Sequence, residues 1–321
     1  MILDVVSAGD LVIDFSQCGF GPNGHPAFEM NPGGAPANML VACSLLGAKT
    51  AFIGKVGDDL FGRHVAGALK KYGILDEGVV YTDVDHTMIT FVSLDEQGDR
   101  SFYFVGKGVD HLLAPEEVNV GVLERANIIY STYGLAKSPV GLATLHFLQD
   151  YAEKHGKLFA VDPNYRPESS LHDPATVKQE FTDYISRADI VKVSEIELKL
   201  LTGLGDSPEE CARGAELISK IGREKKAVFI TLGAKGAYYY SKDEQGYEPG
   251  FRVKAVDTTG CGDSFLGAVL YFMACEPEVP LAHAVRWANA VGALCATKRG
   301  AFDAMPTRKE VEAFLAAQNA I

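Results

Sequence analysis

Asp257-Thr258-Thr259-Gly260-Cys261-Gly262-Asp263-Ser264-Phe265 runs directly into the apolar stretch Leu266 to Ala274, a spacing that predicts a loop turning into a helix over 261–274. Two glycines at such a junction let backbone N–H groups face a ligand with no Cβ in the way, and the helix start adds roughly half a positive charge. The turn is suited to an anion. Asp263 falls in the first helical turn, where the same field favours the ionised carboxylate, so a proton acceptor stands beside the anion. Taken alone, the segment reads equally well as an aspartate capping a helix after a glycine turn.

A second glycine-rich segment, Asn31-Pro32-Gly33-Gly34-Ala35-Pro36-Ala37-Asn38, leads into a helix predicted over 36–46. Gly33 and Gly34 permit close backbone approach to a small ligand, and Asn38 offers a donor and acceptors, a combination suited to a polyhydroxylated substrate. A plain glycine turn is the alternative. Asp10 and Asp14 lie at the end of a first strand predicted over 2–8, where ligands bind in open α/β sheets, and paired carboxylates there would accept from sugar hydroxyls. Asp162-Pro163-Asn164-Tyr165-Arg166 ends another strand and brings an acid, an amide and a guanidinium to the same edge, Arg166 being suited to phosphate or carboxylate. Thr231-Leu232-Gly233-Ala234-Lys235-Gly236 turns between two strands and would lay a nucleotide against bare backbone. By itself it is a hairpin turn.

The elements that must position these residues follow from the hydrophobic pattern. From residue 127 onward, short apolar runs alternate with helical ones: strands over 127–131, 158–161, 190–193, 227–232 and 237–241, and helices over 139–154, 175–187, 208–221, 261–274 and 281–297. This alternation predicts an α/β fold with a doubly wound, mostly parallel sheet. The first third differs. Around the helices predicted over 36–46 and 60–72, residues 12–30 and 87–106 read as short β segments broken by Gly, Asn and Asp, with Asp95-Glu96-Gln97-Gly98-Asp99 as a hairpin turn. The expectation is one domain over 1–321 carrying a small β lid that shuts water out during group transfer.

The 321 residues are 47% hydrophobic and 22% charged, an ordinary globular composition that sets aside disorder, collagen and coiled coil. Thirty basic against 42 acidic residues leave a net charge of -12, which repels polyphosphate backbones and anionic membranes, so neither nucleic acid nor membrane is an expected partner. The N-terminus lacks the basic flank of a signal peptide and no apolar run approaches a membrane span, predicting a cytoplasmic chain. Six widely spaced cysteines form no CxxC pair. The fingerprints of P-loop NTPases, nicotinamide dehydrogenases, protein kinases, α/β-hydrolases and zincins are all missing.

Gly33 through Gly62 together with Asp257 to Phe265 resemble the two signature motifs of the ribokinase-like (PfkB) carbohydrate kinases. Within that family Gly33 to Asn38, Ile53 to Asp58, Asp162 to Arg166, Ala288 to Ala293 and Thr297 to Ala301 are most similar to fructokinases. The resemblance covers nearly the whole chain, in family order. It implies ATP-dependent phosphorylation of a sugar, fructose to fructose 6-phosphate first. Asp263 would be the base, and the amides of Gly260, Cys261, Gly262 and Asp263 would hold the migrating phosphoryl group. It implies a sugar held by Asp10, Asp14, Gly33, Gly34, Asn38 and Arg166, and ATP along Thr231, Gly233 and Gly236 with Asn289 and Asn164. Mg²⁺ would be assisted by Glu197 through water and K⁺ held near Asp257, Thr259 and Gly300. Pairing of two lids would make a homodimer. A 2-keto-3-deoxygluconate kinase, another sugar kinase of the family, and an inactive sugar-binding homologue are the alternatives. The chain departs from the family pattern at Cys261, where Ala is usual; at Ser194, where Asn is usual; and at Asp10, where fructokinases mostly have Glu. Phe104 to Asp110 also lacks the basic residue expected after the lid strand, Lys107 being only an offset substitute.

Overall fold

Ala227 to Ile230 are all fully buried, the signature of a parallel strand covered by helices on both faces. Such strands form the centre of the structure, a computed structural model that describes residues 1–94, 100–167 and 172–319; the predicted Asp95–Asp99 turn lies outside the described residues. The chain opens with β1 (Leu3–Ala8), β2 (Val12–Phe20), β3 (Pro26–Gly33), α1 (Ala35–Leu46), β4 (Thr50–Gly57), α2 (Leu60–Lys71), β5 (Leu75–Thr82), β6 (Ile89–Leu94) and β7 (Arg100–Val105). It continues with α3 (Val120–Arg125), β8 (Ala126–Thr132), α4 (Pro139–Lys154), β9 (Leu158–Asp162), α5 (Pro174–Ser186), β10 (Ile190–Ser194), α6 (Glu195–Thr202) and α7 (Pro208–Ser219). Then come β11 (Ala227–Thr231), β12 (Gly236–Tyr240), β13 (Gln245–Pro249), α8 (Cys261–Cys275), α9 (Leu281–Ala296) and α10 (Arg308–Asn319).

Among the described residues nine strands form one sheet in the order β13-β12-β11-β10-β9-β8-β1-β4-β5, and β3-β2-β6-β7 form a second, four-stranded sheet. Pairing from β5 through β11 is parallel, while β12 and β13 close the far edge antiparallel. Side chains of each strand alternate between two cores. Phe229 and Ile190 pack with α1, α8 and α9 on one face, and Val228, Ile230 and Val191 pack with α4, α5 and α7 on the other. Helix α8 is buried from Asp263 to Phe272, so it is apolar nearly all round and its start is fixed from every side.

β1 pairs with β4 on one side and β8 on the other. The chain therefore reverses direction of growth between β1 and β8, the switch point where the carboxyl ends of parallel strands open into a crevice. The lid rises there: β2 and β3 are inserted between β1 and α1, and β6 and β7 follow β5. The two hairpin pairs join through parallel pairing of β2 with β6. Phe15 stacks on Phe91 at 5.1 Å and meets Phe61 edge-on at 5.8 Å, fastening the lid to α2.

Strands β4, β5 and β13 and helices α3, α6 and α10 have no counterpart among the predicted elements. Every residue of β4 is buried, and an uninterrupted buried run carries no alternation to read.

Candidate active site

Gly260 caps α8 in the left-handed region, φ 76°, and no side chain caps the helix. The leading amides of a helix have no partner inside it. Cys261 N–H turns back to the Thr258 carbonyl at 3.3 Å, which leaves the amides of Gly262 and Asp263 to an incoming ligand. Asp263 is only 7% exposed. Asn38 Nδ2 donates to its Oδ2 at 2.8 Å and Asn164 Nδ2 to its Oδ1 at 3.4 Å. Burial raises its pKa to about 6; the Asn38 bond, Arg166 and Lys192 hold the rise back, and the charge of Asp162 adds to it. Asn164, expected from sequence to contact the nucleotide, is thus also set against the acid. Its φ is +51°, the one positive φ outside glycine among the described residues, and asparagine tolerates that region better than most residues.

Beneath this turn lies a buried charge network. Asp162 is fully buried; its Oδ2 accepts from Lys192 Nζ at 2.8 Å and its Oδ1 from Asn164 N–H at 2.9 Å. Glu197 Oε1 accepts from Tyr165 N–H at 2.7 Å, and its Oε2 accepts from Ser194 N–H at 2.6 Å and Ser194 Oγ at 3.0 Å, forming a capping box. Both Glu197 oxygens are thereby committed to the backbone that carries Asn164 and to the start of α6. Burial and Asp162 raise its pKa, opposed by Lys192. Lys192 was missed by sequence reasoning, although a lysine inside the apolar run Ile190 to Val193 was a signal available there.

Beyond the carboxyl end of β1, Asp10 Oδ1 accepts from Thr132 Oγ1 at 3.3 Å. Gly33 and Gly34 have steric reasons to be glycine: a Cβ at Gly33 would overlap Asp14 Oδ2, and one at Gly34, φ 107°, would overlap the Asp10 carbonyl. Burial and then Asp10 raise Asp14 to about 7, against a hydrogen bond from Thr90. Asp110, not foreseen, is 6% exposed with Oδ1 unpartnered; burial and then Asp10 raise it to about 7 as well. The Tyr130 hydroxyl and Asn38 Oδ1 are buried and unpartnered too. Tyr130 links the two ends: burial pushes its phenol well up, and Asp162, Asp263 and Asp10 add to that. Arg166 is exposed, with Nη1 donating to the Tyr165 carbonyl at 3.2 Å.

The remaining loops converge on the same edge. Thr231 Oγ1 donates to the Val193 carbonyl at 3.4 Å, and Gly233, φ 55°, starts a single 3₁₀ turn with open space where its Cβ would lie. A Cβ at Gly236 would overlap the Glu248 carbonyl, so pairing with β13 already requires glycine there. Asn289 is buried, its Nδ2 donating to the carbonyls of Glu248 and Pro249 at 3.0 and 3.2 Å; it tethers the end of β13 to α9. Asp257 ties two loops together, accepting from Thr259 N–H at 2.7 Å and Gly300 N–H at 3.2 Å. The Cys295 thiol donates to the Thr259 carbonyl at 3.6 Å.

A family model described as pfkB family carbohydrate kinase matches residues 3–308. The chain belongs to the pfkB family of carbohydrate kinases. This kinase is 39% identical over 317 residues to Fructokinase-1 of Zea mays, covering 96% of each chain, and 38% identical over 323 residues to Probable fructokinase-2 of Arabidopsis thaliana, covering 98% of this chain and 96% of the relative. Among solved structures it is similar to a fructokinase with bound ATP from Xylella fastidiosa: TM-score 0.85, 29% identity, 99% of this chain and 100% of that one. A fructokinase double mutant from Vibrio cholerae O395 in fructose-, ADP- and potassium-bound form gives TM-score 0.82 at 31% identity, covering 98% and 99%. The α/β body with its separate small sheet is the architecture of these kinases. No helix among the described residues is long and apolar enough to cross a membrane.

Proposed function

We propose that this kinase transfers the γ-phosphate of ATP to the 6-hydroxyl of fructose, with Asp263 as the base. The observation that carries the reading is the buried Asp263 carboxylate, held by Asn38 and Asn164 at the uncapped start of α8. Asp10, Asp14 and Asn38 orient the sugar through its hydroxyls, Gly33 and Gly34 let it approach the backbone, and the lid keeps water from competing as acceptor. As the sugar oxygen attacks the γ-phosphorus, its proton passes to Asp263, the bond to the β-phosphate oxygen breaks, and the Gly262 and Asp263 amides take up the charge on the equatorial oxygens. Arg166 adds positive charge at the mouth.

ATP lies along Thr231 to Gly236, whose Gly233 stands open. Asn289 acts by holding the neighbouring strand end. Glu197, whose oxygens accept from Tyr165 N–H and from Ser194 N–H and Oγ, could assist Mg²⁺ only through water, and the ion would there neutralise phosphate charge. The loops joined by Asp257 offer the carbonyls for K⁺ beside the turn, which dependence of kcat on K⁺ would test. Phe20, Phe28 and Tyr103 are exposed on the lid, an apolar face suited to pairing with a second lid; analytical ultracentrifugation should then give a dimer. Six free thiols suit a reducing cytoplasm.

ADP-release assays across fructose, ribose, adenosine, 2-keto-3-deoxygluconate and other hexoses should give the highest kcat/KM with fructose. A strong preference for the sugar acid would overturn the substrate assignment.

A further inference from the structure

Lys192 projects from β10 into the protein interior, and its side chain is 8% exposed. Its ammonium lies directly beneath the phosphate turn: a Cβ built on Gly262 would stand 3.3 Å from Lys192 Nζ. Among the described residues one acceptor takes a hydrogen bond from it, Asp162 Oδ2 at 2.8 Å. An ammonium has three donors, so two remain beside the Gly262 backbone. An isolated ammonium is costly to bury; here burial works against its charge, but Asp162, Glu197 and Asp263 outweigh that and raise its pKa above the ordinary lysine value. Asp162, at the end of β9, pins the ammonium, so the charge is held in place before any ligand arrives.

We propose that Lys192 is a catalytic residue whose ammonium, reaching past Gly262, donates to the phosphoryl group as it moves from ATP to the sugar. The role rests on reading residues 260–263 as the phosphoryl site. Backbone amides offer only partial charges, whereas Lys192 brings a full positive charge to a site shielded from water, where charge stabilisation is most effective. It also gives Gly262 a reason beyond backbone freedom, because any side chain there would stand between the ammonium and the phosphate. The ammonium forms no covalent bond and keeps its proton throughout.

Lys192→Met should lower kcat by about 10²–10³-fold, the scale for losing one charge-stabilising donor, with KM for fructose within about threefold. The affinity for ADP with aluminium fluoride and fructose, a mimic of the migrating phosphoryl group, should fall by a similar factor, while the affinity for ADP alone changes much less. The acid limb of the kcat profile should move upward, since Lys192 helps keep Asp263 ionised. Removing the lysine leaves Asp162 a buried, unpaired charge, so the double variant Lys192→Met/Asp162→Asn, which removes both charges, keeps the test open if the single variant does not fold. If the double variant turns over within about threefold of wild type, Lys192 merely neutralises Asp162 and the proposal fails. Asp263→Asn separates the two ideas: normal turnover there removes the phosphoryl-site reading itself, whereas an inactive Asp263→Asn beside an active double variant removes only the lysine.

Discussion

At the phosphate end of the cleft Asp263 accepts hydrogen bonds from Asn38 and Asn164 and lies near Lys192 and Arg166, so burial lifts its pKa only to about 6. At the sugar end Asp14 and Asp110 crowd Asp10 with few donors among them, and each rises to about 7. In the first region the groups around Asp263 are already held in place, while the Gly262 and Asp263 amides stay open to a ligand. The second holds a surplus acceptor, Asp110 Oδ1, with no hydrogen-bond partner. A polyol, with a donor on every hydroxyl, supplies what that end lacks. On the proposed reading, preorganisation would serve the chemical step and incompleteness the choice of substrate.

The contrast is broken most directly at Asp263. Asp263→Asn should cost roughly 10²–10⁴-fold in kcat, the range for a positioned general base, while calorimetry still detects fructose and ATP binding; near-normal turnover would remove it as the base. Next in size, Asp10→Asn or Asp14→Asn should raise KM for fructose roughly 10- to 100-fold, the loss of one charged hydrogen bond of about 1.5–3 kcal/mol, with a smaller change in kcat. If kcat collapses and KM holds, the two ends are not separable as described.

Titration sharpens the same contrast. Asp263 must be ionised to accept a proton, so kcat should fall as pH drops through about 6. The sugar-facing acids accept best when ionised, so KM for fructose should already rise below about 7. Coincident midpoints would contradict the separate environments. Stability moves the other way. A carboxylate whose folded pKa exceeds its unfolded value favours folding while protonated, and that contribution, full at low pH, is lost as pH rises through the folded pKa near 7. Thermal melts of the ligand-free kinase should therefore show Tm declining between pH 5 and 8, with Asp110→Asn flattening part of the decline and bound fructose opposing it.

The smallest effect is expected at Cys261. Only its backbone lies in the turn, so Cys261→Ala should leave kcat/KM within about threefold in the ADP-release assay; a larger loss would give the thiol a role that the amide reading does not contain.

The turn at 257–265, the glycine pair at 33–34 and the strand-helix alternation after residue 127 were legible because each is a local pattern: glycine spacing, a helix start, or apolar periodicity within a few residues. Strand β4 was not, being buried throughout and carrying no period. For Asn164 the sequence shows only a place at a strand end; that it faces Asp263 is decided by the packing of the chain. Lys192 stood in an apolar strand with no local partner. Asp110 was noticed only for the basic residue its neighbourhood lacks.

The sequence by itself determined that a glycine turn with an acid inside it opens a helix, and that an α/β body with a β lid carries it. Tertiary structure alone decided what meets that acid. Asn38 reaches Asp263 across 225 residues of chain, and Lys192 comes up under Gly262 from a strand near the middle of the sheet. Local spacing specifies backbone conformation because neighbouring residues share a few torsions. Which side chains then converge depends on how two cores pack against opposite faces of one sheet, and that is a property of the whole chain.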